Sequence, residues 1–595
     1  MNERTRKPVI ALVALALLWF VGLFGRGYWT PDEPREAALA ASMSAHPQAL
    51  PALGGIRFAE KPPLTYWLAG ASLRVFGAHP AAARAPQLGY ALLAFLAALA
   101  LTRALLGDSG ADAGVRTASL AGAVIFATSM LVYQVQIWLD TDALLLAGVA
   151  VALAGMYTAL ETRGEDAAAR RARWRGYFVM HFGLTLAFFA KNFAAWMVPV
   201  LTFLCFIVWE RRWRELGRLE FWLPALLPAA CILLWVSAVA AQPDGARALR
   251  VLFWNNLVGR ALAVSSAAQF NYVSGHRSSP GQYFLELPLY LLPWSVGAGC
   301  ALAAAWRGVR AAGPRRAAWR FASCCALPGL LVLSLAATAR SIYAAPCMLG
   351  FALLIALWAE GLAGESAGAR RALAATAVLL ALLALLLLAA TVALQWTVLR
   401  ASWPLFVLSA SAATLIAAWS ARQCFAPAPR TSAMSAPSQL LQLAAAWGLL
   451  LSLGVLCLFG AMNRTQDIDT LAARVTRAAG PAPLLLWSPD ETTLAWAQLE
   501  LPAGSWHAID GMDATAPTSL AEQMHAMPAT VIISMVPGSW PRGAWLAYLR
   551  GELGADDALA AKPVNEPMLS AAGLRVRAQV GRPGGRGYFL WRRAD

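Results

Sequence analysis

The sequence predicts an α-helical, polytopic membrane protein with a small α/β domain at its C-terminal end. Of its 595 residues, 59% are hydrophobic and only 13% are charged, and the mean hydropathy is +0.55. A soluble chain of this length is rarely so apolar. Long apolar runs recur along residues 1–461, whereas residues 462–595 contain strand-like runs such as APLLLWS, ATVIISMV, LRVRAQV and YFLWRR. We therefore predict a transmembrane domain over 1–461 and an α/β domain over 462–595.

Thirteen segments are apolar enough to be membrane-spanning helices, each of which needs about 20 residues to cross the hydrocarbon core. They centre on residues 8–25, 87–107, 115–134, 139–160, 176–190, 193–210, 220–241, 285–304, 321–338, 342–361, 371–396, 404–421 and 438–461. The first follows a basic start but no A-x-A cleavage site follows it, which favours a helix over a signal peptide. The fifth and sixth are separated only by a turn at Lys191 and Asn192.

The arginines predict how these helices are oriented. They cluster in alternate loops, chiefly 161–176, 211–219 and 305–320. Under the positive-inside rule these loops and the N-terminus are cytoplasmic. The other loops, including the long loops 26–86 and 242–284, then lie on the extracytoplasmic face. The C-terminal domain joins them there, because the number of spans is odd.

Composition excludes several classes of function. The net charge of +16 is explained by arginines in cytoplasmic loops and does not indicate a nucleic-acid partner. All eight cysteines lie in or beside apolar stretches. Neither a disulfide framework nor a cysteine-rich zinc site is therefore expected.

Polar residues that are costly near a membrane collect on the predicted outer face. They are the carboxylates Asp32, Glu33, Glu60 and Asp140, the cations Arg35, Lys61, Lys191, Arg260 and Arg340, and the tyrosines Tyr66 and Tyr343. Cations at such a surface bind phosphate, and a carboxylate among them can act as a base or stabilise positive charge at a reacting carbon. The set suits an enzyme whose donor is a lipid carrying a phosphate-linked sugar.

Structural roles are the alternative for several of these residues. Asp32 could cap a short surface helix that follows Pro34, with Glu33 facing water. Asp140 could form a buried ion pair with Lys191. A lipid transporter or flippase is the competing function, but its charges would line a path between both faces, whereas these collect on one.

Six motifs, WTPDEPREAALAASM, GIRFAEKPPLTYWLAGASLRVFG, WLDTDALLLAG, FFAKNFAAWMVPV, GHRSSPGQYFLELPLYLLPW and RSIYAAPCM, occur in this order. In order and spacing they resemble the bacterial family of lipid A 4-amino-4-deoxy-L-arabinose transferases, within the protein O-mannosyltransferase superfamily. The resemblance covers residues 8–361 by motif and the remainder only in architecture. It implies a GT-C fold with thirteen membrane helices and a periplasmic α/β domain, in the bacterial inner membrane.

The resemblance also implies an activity, namely transfer of a sugar from undecaprenyl phosphate. Lipid A is the first expected acceptor, and another glycan or a protein is the alternative. By motif, Asp32 corresponds to the catalytic carboxylate and Asp140 to a second essential acid, and we group Glu33 with them. Groups near the donor phosphate are Lys61, Lys191 and Tyr343, to which we add Arg35, Tyr66, Arg260 and Arg340. Glu60 and His276 correspond to the ligands of a zinc ion, and we expect a monomer.

Overall fold

A computed structural model describes most of the chain. The described residues are 3–107, 112–259, 279–336, 340–361, 367–394, 403–425, 435–466, 468–487, 489–509, 531–537, 569–570, 573–582 and 586–593. Arg260 and His276, both predicted to lie in the site, fall outside them. Residues 542–553, for which the sequence pattern predicts a helix, fall outside them as well.

The described chain is mostly helical. Its α-helices are α1 (Glu3–Leu23), α2 (Asp32–Ala45), α3 (Leu64–Phe76), α4 (Pro80–Leu106), α5 (Ala113–Thr128), α6 (Met130–Ile137), α7 (Asp142–Glu161), α8 (Ala167–Lys191), α9 (Met197–Trp209), α10 (Leu219–Trp222), α11 (Leu226–Ala240), α12 (Gly245–Leu249), α13 (Gln282–Tyr290), α14 (Ser295–Gly308), α15 (Arg316–Leu335), α16 (Ala345–Glu360), α17 (Ala367–Leu394), α18 (Trp403–Phe425), α19 (Ala436–Gln466), α20 (Ile468–Ala479) and α21 (Glu491–Glu500). Short 3₁₀ turns cover Asn192–Trp196, Trp213–Gly217 and Ser341–Ala344, and a π-helix covers Arg250–Gly259.

The described helices confirm a polytopic membrane protein. Nine helical segments are long and apolar enough to cross a bilayer, or eleven if the two bent pairs, α5 with α6 (64°) and α13 with α14 (119°), are each counted as one span. One of the nine, Ala167–Trp209, has 43 residues and would be about 65 Å long as one straight helix, twice the thickness of the hydrocarbon core. The indole of Trp196 donates to the carbonyl of Leu184 at 2.7 Å, so the chain reverses here and forms two spans. With the shorter apolar segment Phe406–Ser420, every predicted span has a counterpart.

Helices α7 and α8 form a closely packed antiparallel pair. A Cβ atom added at Gly155 would lie 2.4 Å from the backbone nitrogen of Met180, and one added at Gly183 would lie 2.4 Å from that of Ala152. Only glycine permits backbones to approach so closely, as in other small-residue interfaces of membrane helices. This packing brings the start of α7 beside the end of α8, where Lys191 lies.

The arginine-rich loops meet at the other end of the bundle. The guanidinium of Arg212, after α9, lies 2.7 Å from Glu161 at the end of α7. Arg320 of α15 lies 2.7 Å from Glu210. The alternate loops that the arginine pattern assigns to one face are therefore neighbours in space.

The C-terminal part contains a five-stranded mixed sheet, as the strand-like runs predict. Together with a small hairpin of β1 (Ala52–Leu53) and β2 (Ile56–Arg57) in the first long loop, the strands are β3 (Leu484–Trp487), β4 (Trp506–Ile509), β5 (Val531–Pro537), β6 (Leu574–Arg582) and β7 (Arg586–Arg593). The order in the larger sheet is β4-β3-β5-β7-β6. β3 runs parallel to β4 and β5, whereas β7 is antiparallel to β5 and β6. β4 was not among the predicted strands.

Helix α2 is the short helix predicted in the first long loop, but it is not exposed on a surface. Its residues from Glu33 to Ala40 are buried. Leu39 and Met43 pack in one apolar cluster with Leu494 of α21. The sheet-containing C-terminal part therefore covers α2 and holds it against the membrane helices.

Candidate active site

Asp32 begins α2 and faces a cavity. Its side chain is 20% exposed, with Oδ1 3.3 Å from Arg35 and Oδ2 3.6 Å from Arg340. Pro31 occupies the N-cap position, and no side-chain capping bond forms there. The capping role considered for Asp32 is therefore not observed. Its carboxylate is accessible and lies beside two guanidinium groups.

Glu33, one residue later, is in the opposite environment. It is completely buried and accepts hydrogen bonds from the guanidinium groups of Arg26 and Arg84 and from the backbone N–H groups of Trp29 and Leu139. This corrects both predictions for the residue. A carboxylate with no accessible surface and every oxygen engaged neither faces water nor contacts a substrate, so its position is structural.

The charges around Glu33 also set its proton affinity. Burial alone would raise the pKa of the Glu33 carboxyl, but the charges of Arg84 and Arg26, with their hydrogen bonds, lower it to about 2. Glu33 therefore stays ionised and joins α2 to the bundle. Neither arginine was singled out from the sequence.

Glu36 is the centre of a buried polar cluster that the sequence predictions missed. Its Oε1 accepts from Arg35 at 2.7 Å and from the ammonium of Lys61 at 2.9 Å, while its Oε2 accepts from the hydroxyl of Tyr66 at 2.9 Å. The signal was available, because Glu36 is four residues after Asp32 and so lies on the same face of the helix. Arg35, Lys61 and Tyr66 were predicted to bind the donor phosphate; all three are buried, and none of them is among the residues that line the cavity described below.

Lys61 joins this cluster to Asp140. Its ammonium lies 2.8 Å from Asp140 Oδ1 as well as 2.9 Å from Glu36. Burial opposes the charged form of Lys61, but Asp140 and Glu36 raise its pKa well above the usual value. Conversely, burial favours the neutral form of Asp140, but Lys61 and Lys191 hold the pKa of its carboxyl well below its usual range. Lys61 and Asp140 are therefore both charged at neutral pH.

The partner of Lys191 is Asp142. Its ammonium lies 2.6 Å from both carboxylate oxygens of Asp142 and 4.7 Å from the centre of the Tyr343 ring. The alternative pairing of Lys191 with Asp140 is therefore wrong, although the two stay close enough to interact electrostatically. The α7–α8 packing explains this, because it sets the first residue of one helix against the last residue of the other.

A cavity of about 370 Å³ brings the carboxylates together. It is lined by Pro31, Asp32, Gln134, Val135, Trp138, Asp140, Asp142, Arg340, Ser341 and Ile342. Asp32, Asp140 and Arg340, which were predicted to lie in one site, all line this cavity. The side chain of Arg340 is 45% exposed, so among the described lining residues it is the cation open to a ligand.

Of the two predicted zinc ligands, the structure describes one. Glu60 is buried, and its charge acts on Arg35, whereas His276 lies outside the described residues. In the described ranges no group of three or more His, Cys, Asp or Glu side chains is arranged to hold a metal ion. The zinc site stays a prediction.

Comparison with protein families and curated proteins identifies similar sequences. Residues 60–240 match the family described as dolichyl-phosphate-mannose-protein mannosyltransferase. An undecaprenyl phosphate-alpha-4-amino-4-deoxy-L-arabinose arabinosyl transferase of Pseudomonas aeruginosa (strain UCBPP-PA14) is 31% identical over 349 residues, 58% of this chain and 58% of that protein. The chain thus spans about three fifths of the length of the curated relatives it matches.

Solved structures extend the likeness to almost the whole chain. The crystal structure of ArnT from Cupriavidus metallidurans bound to undecaprenyl phosphate has a TM-score of 0.66 at 16% identity, covering 98% of this chain and 97% of that one. Its apo form has a TM-score of 0.68, also at 16% identity, covering 99% and 98%. The comparisons thus confirm the resemblance predicted from the motifs, and they show that this chain has the GT-C fold of those proteins.

Proposed function

We propose that this protein is a membrane glycosyltransferase that moves a sugar, 4-amino-4-deoxy-L-arabinose, from undecaprenyl phosphate to lipid A. The observation that carries the proposal is the accessible carboxylate of Asp32 in a cavity that also holds the exposed guanidinium of Arg340. The named activity of the curated relatives and the undecaprenyl phosphate in the ArnT crystal structure give the donor class.

The cavity suits a displacement at the sugar's anomeric carbon. An acceptor oxygen forms a bond to that carbon while the bond to the donor phosphate oxygen breaks, and the electron pair leaves with undecaprenyl phosphate. Arg340 binds the departing phosphate, because a guanidinium donates charge-assisted hydrogen bonds to phosphate oxygens and stabilises the negative charge that develops on them. Asp32 accepts the acceptor proton or stabilises positive charge at the anomeric carbon.

Lys61 and Lys191 act from behind this surface. Each ammonium is bonded to a carboxylate of the cavity wall, Asp140 or Asp142. They fix those carboxylates and add positive charge near the phosphate position. Both effects favour the departure of an anionic leaving group such as undecaprenyl phosphate.

A protein acceptor is the second candidate. It is favoured by the match of residues 60–240 to a family described as protein mannosyltransferases. Mass spectrometry of lipid A and of membrane glycoproteins, in cells with and without this protein, separates the two. Aminoarabinose on lipid A only in cells that contain the protein supports our proposal, whereas a protein-bound sugar supports the second candidate.

The proposal includes a location. In it the N-terminus is cytoplasmic, and Asp32, Arg340 and the C-terminal sheet lie on the periplasmic side of the inner membrane; the arginine pattern supports this orientation. A donor that is a membrane lipid can reach a cavity at the end of the helix bundle laterally. The protein works as a monomer in this proposal.

Replacing either Lys61 or Lys191 should lower activity. We expect Lys61→Ala and Lys191→Ala each to slow transfer or weaken undecaprenyl phosphate binding by about tenfold or more, equivalent to about 1.4 kcal/mol, because a wall carboxylate loses its counter-charge. Transfer assays with the purified protein measure this. Lys562→Ala, in the C-terminal part, is the control and should be neutral. Full activity of Lys191→Ala with a lower melting temperature would make Lys191 only a structural partner of Asp142.

Zinc binding by Glu60 and His276 remains a proposal. If a zinc ion is held there, elemental analysis of the purified protein should find it, and Glu60→Gln and His276→Ala should each lower the bound zinc, because each variant removes one ligand. His507→Ala, in β4, is the matched control. Active protein without zinc would remove the metal from the proposal and leave the roles of Asp32 and Arg340 intact.

A further inference from the structure

Helix α21 of the C-terminal part lies directly on α2, which carries Asp32. The side chain of Gln498 donates to the carbonyl of Ala38 and accepts from the backbone N–H of Gly54, both at 2.7 Å. Glu491, the first residue of α21, reaches Arg35 with Oε2 2.7 Å from Nη1. The C-terminal part thus touches the catalytic helix through two different kinds of contact, one to backbone and one to a charged side chain of the site.

The guanidinium of Arg35 is held from two sides. Glu36 accepts from its Nε at 3.0 Å and its Nη2 at 2.7 Å, and Glu491 accepts from its Nη1 at 2.7 Å. Because the guanidinium is planar, bonds at both edges fix its orientation. In that orientation Nη2 lies 3.3 Å from Asp32 Oδ1, longer than its bonds to the two glutamates. Arg35 therefore faces Asp32 without closing a tight ion pair with it.

Glu491 is itself rigidly placed. The side chain of Asp490 caps α21 by accepting from the N–H of Thr493 at 2.9 Å. The hydroxyl of Thr493 lies 3.1 Å from the hydroxyl of Tyr588 in β7. The first turn of α21 is thus fixed to the sheet, and the orientation of Glu491 is set by the C-terminal part.

The environment of Glu491 is poorly suited to a purely stabilising contact. Its Oε1 is buried and accepts no hydrogen bond from any described residue. A buried carboxylate oxygen without a donor costs stability. The position retains a negative charge that packing alone does not need.

We propose that Glu491 is a positioning residue through which the C-terminal part sets the orientation of Arg35 and so keeps the Asp32 carboxylate available for reaction. The inference rests on the proposed function, because it assigns Asp32 the reacting role. Without Glu491, one edge of the guanidinium loses its anchor, and Arg35 can turn towards Asp32 and pair with it. A tightly paired Asp32 is a weaker base and is displaced from the reacting carbon.

This role predicts a specific kinetic signature. Neither Arg35 nor Glu491 lines the cavity, so the surface that binds the donor is unchanged by their loss. A misoriented Asp32 slows the chemical step. We therefore expect Glu491→Gln to lower kcat by about tenfold and to leave KM for the lipid-linked donor within about twofold.

Gln498 provides the matched control. Gln498→Ala removes two hydrogen bonds between α21 and the α2 region but leaves Arg35 untouched. If the C-terminal part only needs to stay docked, Glu491→Gln and Gln498→Ala should lower melting temperature and kcat in parallel, and the proposal fails. If Glu491 positions Arg35, only Glu491→Gln lowers kcat, and Glu491→Asp restores part of it.

A second measurement does not require activity. The melting temperatures of Arg35→Lys, Glu491→Gln and the double variant, in the full-length protein, report whether the two residues are coupled. We expect the double variant to lose less than the sum of the single losses, because both singles disrupt one interaction. Additive losses overturn the proposal whether or not the wild type transfers a sugar. Wild-type protein that transfers no sugar, with coupling intact, instead refutes the proposed function alone.

Discussion

Asp32→Asn should abolish sugar transfer while the protein still folds and binds undecaprenyl phosphate. The change removes the negative charge and the basicity of the only α2 carboxylate that lines the cavity, with little change in shape. Positioned carboxylates of this kind contribute a factor of about 100 to 10,000 to the rate. Transfer by the purified protein, followed by mass spectrometry of the lipid A product, measures the loss.

The control for Asp32→Asn is Asp112→Asn, which removes a carboxylate in the same way at the other end of the helix bundle. Asp112 caps α5 by accepting from backbone N–H groups, and Asn can cap a helix as well. Asp112→Asn should therefore keep full activity. Normal turnover of Asp32→Asn would show that Asp32 only neutralises Arg35 and Arg340, and the reacting carboxylate would have to be sought at Asp140 or Asp142.

The fold could be predicted because its signals are local. A membrane helix is encoded in one continuous apolar segment, and the arginine content of each loop is independent of tertiary packing. The position of α2 could not be predicted in the same way. Its short amphipathic sequence fits a membrane surface, but in the structure it is buried against α3 and against α21, which begins more than 440 residues after α2 ends.

The sequence indicated some of the residues that line the cavity, but it did not indicate which side chains are bonded to one another. Asp32, Asp140 and Arg340 share a cavity because their loops end at the same side of the bundle. Which carboxylate pairs with Lys191 depends on the close approach of α7 and α8, and neither spacing nor charge in the sequence reports that distance. Glu491 was missed for the same reason, because no motif links it to Arg35.

The prediction was least accurate for two adjacent residues of α2, Asp32 and Glu33. Asp32 and Glu33 look alike as a pair of acids after Pro31, but successive residues on a helix point about 100° apart. One therefore faces the cavity and the other faces Arg26 and Arg84. The cavity-facing role of Asp32 and the structural role of Glu33 can be distinguished only once Arg26 and Arg84 are known to lie on the Glu33 side of the helix.

Glu33→Gln should unfold or strongly destabilise the protein. The variant leaves Arg26 and Arg84 as two buried guanidinium groups without their shared counter-charge, and breaking a buried pair from one side costs about 3–5 kcal/mol. We expect a lower melting temperature and a low yield of folded protein. Any folded fraction that still binds undecaprenyl phosphate should retain turnover, because Glu33 does not reach the cavity.

The acid sensitivity of this cluster follows from the lowered pKa. Although burial favours protonation of Glu33, Arg84 and Arg26 hold its pKa at about 2, below the ordinary value of 4.5. The unfolded chain therefore binds the proton more readily, and the contribution of Glu33 to stability is fully present above pH 4.5 and is lost as the pH falls towards 2. Melting temperatures of the wild type should decline over this window. Glu33→Gln, which has no carboxyl to titrate, should show a smaller decline.

Glu161→Gln is the matched control for the loss of stability expected of Glu33→Gln. It removes the same kind of group from a pair with Arg212, but both side chains of that pair are 22% exposed. Water can hydrate the remaining guanidinium, so the loss should be at most about 1 kcal/mol. Equal melting temperatures for the Glu33 and Glu161 variants would show that Arg26 and Arg84 find other partners. A stable Glu33→Gln protein that binds donor but does not turn over would return Glu33 to the catalytic set.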